Sequence, residues 1–309
     1  MGRSRIIAKK RAAYTSRRSF VQDGFYAKLS AFRACLTGFM LPLSPSLLAS
    51  LAAACLYAAA TLYQGTRLAT GAKANKRLLV TLGVLAVLGH AASLYTHLMT
   101  PIGLGLDFFN AASLIAVAVI ALTLLACSRI PVENLLVLLF PLGLATVLLA
   151  QFAPSGTVQV IDEEPGILAH ILLSVLAYGL FTIAVFQALL LLVQDHQLKN
   201  KHPSGLIRNF PPLQTMESLL FGFLWAGWAL LSMSLISGWL FVENLFAQHL
   251  VHKTLLACLA WVVFSVLLWG RNRLGWRGHK AIRWTLAGFC LLMLAYFGSK
   301  LVREYILHI

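Results

Sequence analysis

Acidic side chains are scarce in this chain: ten Asp and Glu among 309 residues, with only 11% of all residues charged. Soluble domains carry about 25% charged residues, so a water-facing surface of ordinary composition is excluded. Nucleotide-driven and hydrolytic motifs are also missing, with no Walker motif, no GxGxxG after a strand and no serine-hydrolase elbow. An ATP-driven pump or a soluble-type enzyme has no support, and the expectation is a non-enzymatic protein. The cysteines Cys35, Cys55, Cys127, Cys258 and Cys290 stand singly with no CxxC pair. Thiol–disulfide chemistry and a cysteine zinc site are therefore not expected.

Apolar residues are abundant, at 59%. A helix needs about 20 of them to cross a bilayer. Charge-poor runs of that order lie near 44–64, 78–98, 108–128, 134–153, 166–194, 217–241, 248–270 and 282–303. They lack the strict alternation, in segments of about ten residues, that marks barrel strands. The runs predict an all-α polytopic membrane bundle with eight transmembrane helices, forming one domain over residues 40–309.

Lys and Arg are retained on the cytoplasmic side. The first, third, fifth and seventh loops carry twelve of them, whereas MTPIGLGLDFF, FAPSGTVQVIDEEPG and FVENLFAQH carry none. These three loops therefore face outward, as do both ends of the bundle. Residues 1–39 conflict with this, holding nine cations against Asp23 alone. A start of translation at Met40 removes the conflict; an Arg- and Ser-rich presequence is the alternative. The formal charge of +15 is inflated by this extension, and the basic loops need a lipid surface rather than nucleic acid to explain them.

This orientation sorts the histidines. His196, His202 and His279 fall in cytoplasmic loops, where solvated or headgroup-facing side chains are expected. On the outward side are His97, His170, His249, His252 and His308. His90 lies seven residues before His97, on the same helix face and roughly 12 Å below the outer end. An imidazole at that depth faces the bundle interior, either hydrogen-bonded to a neighbouring helix or serving as an internal ligand or relay. His249 and His252 share a helix face and cannot bind opposite sides of one planar macrocycle. A haem iron takes one imidazole from each side of its ring, and two helices supply that geometry. His170 at the start of the fifth helix and His252 at the start of the seventh are the candidate axial pair, with Lys253 placed to meet a propionate. Copper or zinc held by histidines is the other metal reading, although no Cys or carboxylate cluster completes a tetrahedral set. Glu243 is placed to orient an imidazole.

Several stretches carry a family resemblance: GILAHILLSVLAYGLFTIAVFQALLLLVQDHQLKNK, PPLQTMESLLFGFLWAGW, HKTLLACLAWVVFSVLLWGRNRLGWRGHKA and LAYFGSKLV. They resemble the cytochrome c assembly membrane proteins, the CcsA, CcmC and HemX relatives, and most of all the inner-membrane YpjD branch. The resemblance spans most of residues 40–303, and its specific part runs from His170 to Lys300. It implies a haem-handling protein of the bacterial inner membrane that assists cytochrome c assembly, with haem as cofactor. Apocytochrome c or other assembly proteins are the implied partners. In the haem-exporting relatives two outward histidines flank a WWD loop, and His170 and His252 occupy the matching places. The chain departs from them in SGWLFVENLFAQHLVHKT, which has Trp239 alone and no WGxxWxWD signature. It also has only His90 where the exporters have a pair of deep histidines. The competing expectation is a small-molecule or ion permease, or a membrane regulatory subunit without haem, in which His90 and His97 line an outward cavity.

Overall fold

The computed structural model describes residues 44–100, 103–153, 164–200, 210–241 and 248–302. The expectations for residues 1–39 and Met40, and for Glu243, His202 and His308, lie outside them.

Among the described residues, eight helical segments are long and apolar enough to cross a membrane. They are α1 (Pro45–Ala69), α2 (Lys76–Leu98), α3 (Phe108–Cys127), α4 (Leu136–Phe152), α5 (Pro165–Lys199), α6 (Leu213–Phe241), α7 (Gln248–Leu274) and α8 (Gly278–Met293). A 3-10 turn, Glu133–Leu135, leads into α4. A π turn, Leu294–Gly298, carries α8 on through Ser299–Leu301. The all-α membrane bundle expected from composition is what the chain forms. The only strands among the described residues are β1 (Met99–Thr100) and β2 (Gly103–Leu104), an antiparallel pair on the outward link between α2 and α3.

Local chemistry sets the helix ends. Asn75 accepts the backbone N–H of Arg77 at 3.0 Å and so caps α2, and Asp107 accepts that of Asn110 at 2.7 Å to cap α3. Gly275, at φ +65°, follows Leu274 and ends α7 in a left-handed conformation that favours glycine.

The longest helix, α5, is the centre of the bundle: 67% of its apolar stretch is buried, against 22–44% in the other seven. It packs on α3, α6 and α8, while α1 packs on α2 and α4. Leu62, Leu88, Leu125 and Leu172 are exposed, as side chains facing lipid should be. Lipid is as apolar as leucine, so close packing rather than water exclusion holds such helices together. Small residues make that possible. Phe181 of α5 and Phe264 of α7 stack at 4.0 Å between centroids, both fully buried. Gly227 of α6 and Gly288 of α8 press their bare backbones on these two rings, where an added Cβ would come within 3.2 Å and 2.7 Å.

At the basic end of the bundle, polar pairs tie the helix ends together. Lys76 meets Glu133. Asp195 meets Lys199 at 2.7 Å and His279 at 3.0 Å, and buried Glu217 meets Arg271 at 3.2 Å. These contacts join the helix ends that the basic loops assign to the cytoplasm.

Candidate functional site: an outward cavity on the His170 helix

The halves of α5–α8 remote from the basic loops, closed on one side by α3, surround a cavity of about 600 Å³, within the range of small-molecule and cofactor sites. Its walls are mostly aliphatic. Its polar side chains include His170, Ser174, Ser234 and Thr254, the tyrosines Tyr178 and Tyr296, and the lysines Lys253 and Lys300, with Cys258 and Trp239 beside them.

His170 stands in the second turn of α5, after the helix-starting Pro165. Its Nδ1 lies 2.9 Å from the carbonyl oxygen of Ser234 and 3.2 Å from Ser237 Oγ, both on α6. A carbonyl only accepts, so Nδ1 carries the proton and donates it. The Nε2 lone pair is left to act as acceptor or ligand. Metal-binding histidines are held in this way, with the far nitrogen donating to a backbone carbonyl. Ser174 Oγ donates to the His170 carbonyl at 2.7 Å and lies 2.7 Å from Ser234 Oγ. Gly238 leaves room for the ring: a Cβ there would sit 2.9 Å from His170 Cε1.

The opposite wall belongs to α7 and α8. Lys253, Thr254, Ala257 and Cys258 of α7 line the cavity; His252 is exposed and is not among the lining residues. The structure thus brings Lys253, rather than His252, to the cavity with His170. The side chain of His249 is outside the described set. From α8 come Tyr296 and Lys300, which lie within or beyond the π turn. Lys300 is 4% exposed; its ammonium donates to the carbonyl of Leu106 and stands 5.5 Å from the Tyr296 ring centroid. Tyr178 donates to the carbonyl of Leu292 at the inner end.

His90 lies elsewhere. It is fully buried, with Nε2 2.7 Å from Ser113 Oγ of α3 and Nδ1 3.4 Å from the Tyr57 hydroxyl of α1. Both ring nitrogens face hydroxyl partners, and the residue does not line the cavity. His97 pairs with Gln151 of α4 at 3.2 Å and does not line it either. The outward cavity expected between His90 and His97 is thus not the one that α5–α8 enclose. Among the described residues no three His, Cys, Asp or Glu side chains gather to hold a bare metal ion, which leaves copper and zinc without a ligand set there.

Lys300, Tyr178, Tyr296, Ser234 and Gly238 were not singled out by sequence reasoning. The signal for Lys300 was a cation, three residues before Arg303, at the end of an apolar helix and within the family-like stretch LAYFGSKLV.

A family model, described as cytochrome C assembly protein, matches residues 78–307. The chain is 33% identical over 233 residues to the inner membrane protein YpjD of Escherichia coli K12, covering 75% of this chain and 88% of that protein. A 28.8 kDa protein from a nifR3-like 5′ region of Azospirillum brasilense is 37% identical over 163 residues, 52% of this chain and 59% of that one. Protein HemX of Brevibacillus brevis is 23% identical over 162 residues, 51% and 60% of the two chains. No solved structure matches.

Proposed function

This chain belongs to the cytochrome c assembly protein family, and from that premise we propose that it is a multi-pass inner-membrane protein that binds haem in its outward cavity and assists cytochrome c assembly. The observation that carries the proposal is the state of His170: Nδ1 is tied to the Ser234 carbonyl, which leaves Nε2 as the coordinating atom in an apolar cavity of about 600 Å³. The cavity fits an amphipathic macrocycle, with aliphatic walls for the ring and two lysines for an acidic edge. Haem bound there would supply an iron able to take imidazole nitrogen as a ligand, and His170 would hold it.

The chain's own residues do the rest. The Ser234 carbonyl fixes the tautomer and orientation of His170. Gly238 admits the ring, and the helix walls exclude water. His252 enters as the second ligand from the rim, on the turn that carries Lys253. His90 has its role inside the α1–α3 half, as a hydrogen-bonded imidazole or relay. Partners on the outward side are apocytochrome c or other assembly proteins.

Absorbance of the protein purified from haem-replete cells tests the reading. A Soret band that disappears in His170→Ala supports it; a colourless wild-type protein overturns it.

A further inference from the structure

The lysine at position 300 is an unusual choice for the wall of a cavity in a membrane. An ammonium removed from water at this depth costs several kcal/mol unless its surroundings compensate, and a leucine would line the same wall without cost. The backbone goes to some length to place it. Leu294–Gly298 is a π turn, which inserts one extra residue into the helix and shifts the phase of the residues beyond it by about 100°. Tyr296 lies within that turn and Lys300 two residues past its end, and both line the cavity.

Lys300 is also held in advance. Its Nζ donates to the carbonyl of Leu106, on the outward link between α2 and α3, and it stands over the face of Tyr296. Asp107, the next residue along that link, receives the backbone and side-chain N–H groups of Asn110 at 2.7 and 3.0 Å. An ammonium fixed before the ligand arrives loses little freedom on binding, which favours affinity. Its three-donor head suits carboxylate oxygen, and a charge-assisted hydrogen bond away from water is among the stronger polar contacts. Lys253 lines the same cavity from α7.

We infer that Lys300, assisted by Lys253, is the carboxylate anchor of the cavity, so that the site selects a planar amphiphile with free carboxylates over the same ring with its acids masked. The inference rests on the haem reading of this cavity and adds to it the group that sets ligand orientation, a positioning role separate from iron ligation by His170.

Four porphyrins separate the two roles: the dicarboxylic free base, its dimethyl ester, and the iron complex of each, titrated into the detergent-solubilised full chain. Binding is followed by porphyrin fluorescence for the free bases and by absorbance for the iron forms. The wild type should bind the acid roughly 10- to 100-fold more tightly than the ester, with or without iron, as expected for a hydrogen bond to a charged group. Lys300→Met should reduce that ratio to within a few-fold of one, and Lys300→Arg should retain most of it. His170→Ala should leave the acid-to-ester ratio of the free bases unchanged while removing the advantage conferred by iron.

Equal binding of acid and ester by the wild type overturns the inference, as does a ratio that persists in Lys300→Met. Should Lys300→Met fail to fold, Lys300→Gln replaces it and the wild-type ratio remains decisive. Failure of the haem reading has a different signature: iron confers no advantage and His170→Ala changes nothing, whatever the acid-to-ester ratio.

Discussion

His90 and His170 are both imidazoles on apolar helices, and the two halves of the bundle treat them differently. In the α1–α3 half, His90 has a hydroxyl at each nitrogen and no exposure. In the α5–α8 half, His170 has one nitrogen fixed by a carbonyl and borders a cavity. A histidine with both nitrogens engaged is a packing element that joins helices; one with a single nitrogen fixed is pre-set to bind. Residue type and depth do not distinguish these cases, whereas the hydrogen-bond inventory does.

Substitutions can break or sharpen this contrast. His170→Ala should abolish the Soret band, while His90→Ala should leave it intact; loss of the band in His90→Ala would break the comparison. His252→Ala has the next largest effect, a change from the six-coordinate to the five-coordinate haem spectrum with weaker retention, and an unchanged spectrum would remove His252 as second ligand. Gly238→Ala should lower haem affinity about 10-fold, as expected when the support of a metal-ligating histidine is disturbed, because the new methyl meets His170 Cε1 at 2.9 Å. Smallest is Ser113→Ala, which removes the 2.7 Å contact with His90. It should lower thermal stability by about 0.6 kcal/mol, the usual value of an interhelical hydrogen bond in a membrane, with haem binding unchanged in titration.

The number and order of the helices were legible in the sequence because the bilayer imposes a length on each apolar run and polar loops separate them. The ends were less so: α5 runs to Lys199 rather than 194 because Asp195 and Lys199, four residues apart, pair along its final turn. His170 was legible from its place at an outward helix start. Its counterpart on α7 was not. A helix that is apolar over most of its length carries no stripe to say which face turns inward, so the sequence expectation put His252 at the site as ligand with Lys253 beside it, and packing put Lys253 on the wall. Lys300 was hidden for a related reason, since a π turn shifts the phase that helical spacing assumes.

The stacked rings of Phe181 and Phe264 have a consequence for traffic. They lie three and six residues deeper than the last residues of α5 and α7 that line the cavity, Tyr178 and Cys258, and the glycines of α6 and α8 press on them. The stacked rings thus form an aromatic base beneath the cavity. On the proposed function, a ligand of this cavity would enter and leave by its outer end or between helices, without passing the aromatic base.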